Sequence, residues 1–315
     1  MRKPLIILTG STAVGKTKAS IGLAKAIGGE IISADSMQVY RHMDIGSAKI
    51  KPGEMDGVAH YLVDVLEPDE EFHVVKFQQM ARQALAEIYQ KEKIPIVVGG
   101  TGFYIQALLY DIDFTEGGGD DSYRKSLEKI AASQGNEFLH QMLRESDAEA
   151  AAKIHANNVK KIIRALEFHK QTGQRISDHN EAERKKTSPY QFVYFVLNDI
   201  RAHLYERINR RVDQMISEGL VEEVKALKER GLTREMVSMQ GLGYKEMLAF
   251  LEGEYSLDEA IRLIKRDTRH FAKRQITWFK REREVVWIEK QDYHYDEDKI
   301  LEQMLKELKK KGIIP

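Results

Sequence analysis

The sequence predicts an α/β fold: a P-loop NTPase-like core with a mostly parallel sheet, interrupted by a helical insertion domain. Three observations predict it. Short apolar runs alternate with helix-periodic segments through the first part of the chain. The first of those runs breaks into a glycine loop of phosphate-binding type. The alternation then stops between residues 116 and 188, where the spacing is helical throughout.

Leu5–Leu8 opens the sheet as an uninterrupted apolar run bounded by turn residues, the signature of a strand covered on both faces. Lys16–Ile27 follows with Ala, Ile and Leu at helical intervals. Glu30–Ala34 is the second buried run, and His60–Val65 is a further strand candidate. Val74–Gln90 reads as another helix, leading into the strand Ile94–Val98. The stretch TEGGGDD, residues 115–121, is an acidic breaker. Helical spacing holds from Tyr123 to Thr172, and strand character returns only after KKTSPY at 185–190, in Phe192–Leu197. Ile200–Phe279 is again mostly helical, broken at Gly219, Gly231 and Gly241–Gly243, and Val285–Glu289 is a last strand candidate. The domains expected are thus residues 1–115 as the first part of the core, 116–188 as the insertion, and 189–315 as the second part with basic C-terminal helices.

Composition narrows the function classes. Hydrophobic residues make up 42% of the 315 and charged residues 31%, which suits a soluble protein with a sizeable core. No apolar run is long enough to span a bilayer, and the short run before the glycine loop is no signal peptide. With no cysteine, disulfides, thiolate zinc sites and cysteine nucleophiles are excluded. A cytoplasmic monomer away from membranes is the expectation. The 49 basic and 49 acidic residues cancel, but they are segregated. Between Lys153 and Lys186 nine basic residues face four acidic ones, and between Arg262 and Arg283 nine face only Asp267 and Glu282. Such segregation marks either a nucleic-acid face or a solvated helix face.

Gly10, Gly15, Lys16 and Thr17 satisfy G-x-x-x-x-G-K-[ST], with a strand before and a helix after. Successive N–H groups of the loop and the helix start favour phosphate, Lys16 adds charge, and the Thr17 hydroxyl suits Mg²⁺. Asp35, in SADSMQVYR, ends the second strand at the rim where ligands of open α/β sheets bind. A carboxylate there serves to accept a proton from an attacking nucleophile or to hold magnesium. VVGGTGFY brings Thr101 to the same rim between close-approach glycines. No Walker B-type acid and no water-activating residue stands out, which disfavours a motor ATPase. Two readings survive from the residues: an ATP-consuming small-molecule kinase, or transfer of a group from a diphosphate leaving group.

The motifs GSTAVGKT, ISADSMQVYRHMDIGSAK, VVGGTGFY, IHANNVKKIIRALE, LYERINRRVDQMISEGLVEEV, GLGYKEMLAFL and RHFAKRQITWFKRE, in this order between about Pro4 and Trp287, resemble the tRNA dimethylallyltransferase (tRNA isopentenylpyrophosphate transferase) family. The likeness is to its bacterial type, which lacks the zinc-finger extension of eukaryotic members. The resemblance implies transfer of a dimethylallyl group from dimethylallyl diphosphate to N6 of the adenosine 3′-adjacent to the anticodon in tRNA. Gly10, Ser11, Thr12, Ala13, Val14, Gly15, Lys16 and Thr17 would bind the diphosphate, with Mg²⁺ at Thr17. Asp35 would take the N6 proton and Thr101 would help place base and diphosphate. Either Arg207 or Arg211, which share a helix face at i, i+4, would complete the diphosphate clamp.

The same resemblance implies four tRNA-binding stretches and one single position. Asp35, Ser36, Met37 and Gln38 would meet the target base and its neighbours, together with Thr101. The anticodon stem-loop would be gripped by Lys160, Lys161, Ile162, Ile163 and Arg164; by Gln240, Gly241, Leu242, Gly243, Tyr244 and Lys245; and by Lys273, Arg274, Gln275, Ile276, Thr277, Trp278, Phe279 and Lys280. Arg124 matches the single contact position. Tyr244, Trp278 and Phe279 are aromatic candidates for stacking on unstacked loop bases, with core packing as the competing role. Three departures stand out: Ser11 replaces a usual proline, Lys160–Lys161 a Gln-Arg pair, and Asn158 an aspartate. A lysine keeps the charge of arginine but not its bidentate geometry. The alternatives that remain are prenylation of free adenine nucleotides and the kinase.

Overall fold

A computed structural model describes residues 2–114 and 121–315, with backbone alone at Asp121. All of the acidic breaker except that aspartate lies outside the described residues. The chain forms two compact units, one made of residues 1–109 and 189–315, the other of residues 110–188.

In the first unit β1 (Lys3–Gly10) runs through the glycine loop into α1 (Lys16–Ile27) and β2 (Glu30–Ser33). There follow β3 (His60–Tyr61), α2 (Val74–Gln90), β4 (Pro95–Gly99) and α3 (Gly102–Leu109). The second unit is helical: α4 (Asp121–Gln134), α5 (Asn136–Ser146), α6 (Ala148–Lys153), α7 (Val159–Thr172) and α8 (Ile176–Lys185). The first unit resumes with β5 (Tyr190–Asn198), α9 (Arg201–Ser217), α10 (Leu220–Glu229), α11 (Tyr244–Leu251), α12 (Leu257–Phe279), β6 (Val285–Glu289) and α13 (Glu297–Lys310).

The six strands form one parallel sheet in the order β3-β2-β4-β1-β5-β6. From β1 the chain crosses toward β2, whereas β5 and β6 extend the opposite side. The carboxyl ends of β1, β2, β4 and β5 therefore share one rim, where a doubly wound sheet holds its ligand. Ile6, Leu8 and Phe195 on the sheet pack with Leu23 of α1, Ile208 of α9 and Met304 of α13, so both ends of the chain contribute to one core.

Differences from the sequence reading lie at element ends. Pairing from Lys3↔Tyr190 to Gly10↔Leu197 extends β1 and β5 past their apolar cores, because a neighbouring strand satisfies backbone groups whatever the side chains. The run His60–Val65 yields only a two-residue strand, since Leu62 (φ 61°) and Asp64 (φ 60°) adopt left-handed backbone. The second unit begins at Tyr110 rather than at 116. Residues before the breaker are tied to α8: Asp113 N–H donates to Glu183 (3.0 Å), and Lys186 Nζ donates to the Asp111 carbonyl (3.2 Å).

Within the second unit Leu127, Leu139, Leu143, Ile162, Ile163 and Leu166 form a separate core. Asp147 staples two of its helices by accepting from Ala150 N–H at the start of α6 and from Ser177 N–H of α8, both at 2.9 Å. Burial opposes the Asp147 charge, but these N–H groups prevail and hold its carboxyl below the usual carboxylate range.

Candidate active site and nucleic-acid interface

The glycine loop gathers charge at the rim. Gly15 caps α1 in left-handed backbone (φ 102°), a conformation that turns the loop into the helix and that a side chain would strain. Lys16 Nζ donates to the carbonyls of Gly10 (3.0 Å) and Ser11 (2.8 Å). Burial pushes its ammonium down from 10.5 to about 8; Asp35 pulls it back up and Arg211 adds to the drop. Arg211 is likewise lowered by burial, against Asp35 and with help from Arg207. Arg207 Nη2 borders the loop, 3.4 Å from where a Cβ on Gly15 would stand, and Arg211 lies within electrostatic reach of Lys16 and Asp35. Next to Lys16, the Thr17 side chain is exposed.

Asp35 follows β2 on this rim. Its Oδ1 accepts from the N–H groups of Met37 (2.8 Å) and Gln38 (3.3 Å), which fixes the carboxylate in the turn and leaves Oδ2 for another proton. Thr101 stands across from it, its N–H donating to the Ala34 carbonyl at 3.3 Å. The turn from Asp35 to Ala48 is held from behind. Glu223 of α10 accepts from the N–H groups of Asp44 and Ile45 (both 2.8 Å) and Gly46 (3.1 Å), and Tyr244 donates to it at 2.8 Å. Ser47 N–H in turn donates to the Tyr244 hydroxyl (3.1 Å), and Gln38 Nε2 to the Ala48 carbonyl (3.2 Å). The Met37 thioether lies against Gly241.

Helix α12 has two faces. Gln275, 6% exposed, points inward: its Oε1 accepts from Thr12 N–H and its Nε2 donates to the Gly100 carbonyl, both at 2.9 Å. One buried amide thus ties the phosphate loop to the turn that carries Thr101. Gly100 and Gly102 are required there, because a Cβ on either would run into Gln275 or the Trp278 indole. On the outer face Lys273, Arg274, Thr277 and Lys280 are exposed. His270, Lys273, Arg274, Thr277, Trp278 and Arg281 line a groove of about 460 Å³.

The basic run of α12 is not uniform. Arg262 pairs with Glu259, Lys265 with Asp213 and Arg266 with Asp267, and Arg269 Nη1 donates to Asn209 (2.6 Å). Lys273, Lys280 and Arg281 make no ion pair among the described residues, while Arg274 lies over the Phe271 ring. In the first half the basic side chains are paired within the helix or with Asp213 and Asn209 of α9; in the second, Lys273, Arg274 and Lys280 are exposed. In the second unit Lys160 and Lys161 of α7 are exposed, Arg164 is half-buried, and Arg124 binds Glu167 through two 3.0 Å bonds.

A profile described as IPP transferase matches residues 38–282. The chain belongs to this family. It is 63% identical to the tRNA dimethylallyltransferase of Lachnoclostridium phytofermentans over 312 residues, 99% of each chain. It is also similar to the crystal structure of the full-length tRNA isopentenylpyrophosphate transferase of Bacillus halodurans, with 44% identity, a TM-score of 0.74, and 99% of this chain and 98% of that one covered. A eukaryotic dimethylallyltransferase captured acting on tRNA superposes with a TM-score of 0.79 at 30% identity, over 91% of this chain and 74% of that one.

Several residues carried over from the motifs take other places in the fold. Tyr244 and Phe279 are fully buried, Ile162 and Ile163 belong to the core of the second unit, and Gln275 faces the loop. These five side chains are packed inside the fold, away from solvent. They lie within motif stretches because a helix presents only about half of its residues outward. The Thr12 N–H is engaged by Gln275. Ser11 and Val14 are fully buried, and Val14 N–H donates to the Ser11 carbonyl. Gly243 is buried at the start of α11, whereas Gln240 is exposed and Gly241, Leu242 and Lys245 are partly so. Ser36, Ile276 and Trp278 are half-buried.

Sequence reasoning missed the two holding devices. Gln275 did carry a signal: with Ala272 and Phe279 it falls on the buried stripe of α12, where a polar residue needs a partner. The Glu223–Tyr244 clamp carried none, because its two residues lie 21 apart and meet only in the folded chain.

Proposed function

We propose that the protein transfers a dimethylallyl group from dimethylallyl diphosphate to N6 of the adenosine 3′-adjacent to the anticodon of tRNA, releasing diphosphate. The observation that carries this reading is the convergence of Lys16, Arg207 and Arg211 on one rim with a single oriented carboxylate, Asp35. Three cations suit a leaving group whose charge grows as the C–O bond breaks. One carboxylate suits a single proton transfer. The N6 amine forms the new bond to C1 of the dimethylallyl group, the C1–O bond breaks toward the loop, and Asp35 Oδ2 accepts the proton lost by nitrogen.

Lys16 and the arginines hold and neutralise the diphosphate, and Thr101 orients the reactants at the same rim. The donor set fits Mg²⁺, which keeps most of its waters and substrate oxygens and needs few protein ligands. The hydroxyl of Thr17, an exposed residue beside the phosphate loop, would provide one, and a bound Mg²⁺ would add charge neutralisation to the diphosphate. Support for an RNA substrate comes from Lys273, Lys280 and Arg281, which make no ion pair among the described residues, and from the exposed Lys160 and Lys161, more basic surface than a free nucleotide or a kinase substrate uses.

The test is incubation with dimethylallyl diphosphate, Mg²⁺ and unmodified tRNA, followed by nucleoside mass analysis. Prenylated adenosine in the tRNA is the expected product. Prenylation confined to free AMP, or ADP formed from ATP, would overturn the assignment. In the same assay Asp35→Ala slows single-turnover chemistry by about 10²–10⁴-fold while tRNA affinity stays close to that of the wild type.

A further inference from the structure

We propose that Lys290 is a further cation of the diphosphate site, an inference that rests on the function proposed above. Lys290 follows β6 and lies beyond residues 38–282, the part of the chain that the family profile matches. It is 2% exposed, a rare setting for a lysine and one that calls for a partner. That partner is Glu297 at the start of α13, 2.8 Å from the ammonium.

The other neighbour is the phosphate loop itself. A Cβ built on Gly15 would lie 3.1 Å from Lys290 Nζ and 3.4 Å from Arg207 Nη2. The two cations therefore border the same point of the loop, on the residue whose backbone leads into α1. Two like charges brought this close repel one another, and the repulsion is relieved by an anion that both can reach. Glu297 compensates Lys290 from one side; a diphosphate on the loop would do so from the other. In this arrangement Glu297 positions the ammonium and also weakens its pull on the ligand.

That division of labour makes the two partners' substitutions act in opposite directions. The probe is inorganic pyrophosphate, the released product, titrated by calorimetry with Mg²⁺ into the full-length protein. Lys290→Met is expected to weaken pyrophosphate about tenfold, the loss of one charge-assisted contact. Lys290→Arg restores affinity to within about threefold of the wild type. Glu297→Gln frees the ammonium from its carboxylate and tightens pyrophosphate about threefold. Affinity for tRNA is unchanged in all three. A purely structural ion pair would instead lower melting temperature in both Lys290→Met and Glu297→Gln and leave pyrophosphate affinity unchanged or weakened in both. Either of those affinity results overturns the inference, and Glu297→Gln decides the matter even where Lys290→Met does not fold. Lys16→Ala serves as the control for the site. If wild type and Lys16→Ala bind pyrophosphate alike, the proposed diphosphate site is wrong, and the role of Lys290 falls with it.

Discussion

Gln275 is where the geometry makes its most demanding claim. Replacing it with leucine keeps most of the side-chain volume but removes both hydrogen bonds, leaving Thr12 N–H and the Gly100 carbonyl without partners. A buried polar group left unsatisfied costs about 1–3 kcal/mol. With one of the two groups regaining some hydration, the expected loss is about 2–4 kcal/mol, or about 3–6 °C in melting temperature for a chain of this length. The loop that Thr12 belongs to is then no longer tied to the Thr101 turn, so pyrophosphate affinity falls as well. Gln275→Glu separates the two bonds. It keeps an acceptor for Thr12 but sets a carboxylate oxygen against the Gly100 carbonyl, which raises its folded-state pKa. Its penalty is therefore present at neutral pH and shrinks as the pH is lowered through that raised pKa. Urea unfolding of the three proteins, with pyrophosphate titration alongside, measures all of this. A Gln275→Leu protein within about 0.5 kcal/mol of wild type would refute the idea that this amide holds the loop.

Lys16 should give the diphosphate site a pH dependence of defined sign. Its ammonium titrates at about 8, so affinity for dimethylallyl diphosphate falls as pH rises above that value, and Lys16→Ala removes this dependence from the KM profile. The same depressed pKa means that charging Lys16 opposes folding below pH 8, an effect relieved between 8 and the ordinary 10.5; the rise in stability over that window should vanish in Lys16→Ala. Tyr244→Phe removes the bond to Glu223 and costs about 1–2 kcal/mol of stability, yet leaves the salt dependence of tRNA binding intact; a flattened slope would mean that the hydroxyl contacts RNA. Neutralising Lys273 and Lys280, or Lys160 and Lys161, should flatten the plot of log affinity against log salt by about one unit per lost phosphate contact. Equal changes at Arg262 and Arg266, which are already paired, should leave it unaltered.

The sheet, the loop and the helices were legible in the sequence, because these depend on local information: apolar runs, helical spacing, and glycines where the backbone must turn. Lys16–Ile27 and Val74–Gln90 appear in the structure with the bounds their periodicity implies. Motif order was enough to pick out Lys16, Asp35 and Thr101 as one group, since strands of a parallel sheet all end on the same rim. Local information could not say which side of a motif helix faces inward. RHFAKRQITWFKRE reads as one basic-aromatic stretch, yet folding sends Gln275 and Phe279 inward and Lys273, Arg274 and Lys280 outward. Nor could it show that Arg262 and Arg266 have partners while Lys273 makes no ion pair among the described residues, because a charge is free or paired only in relation to what packs beside it. Lys290 is the extreme case. No motif contains it, and it meets Gly15 only because β6 and α13 close onto the side of the sheet where β1 ends. Distances between residues far apart in the chain are set by packing, and packing belongs to the tertiary structure alone.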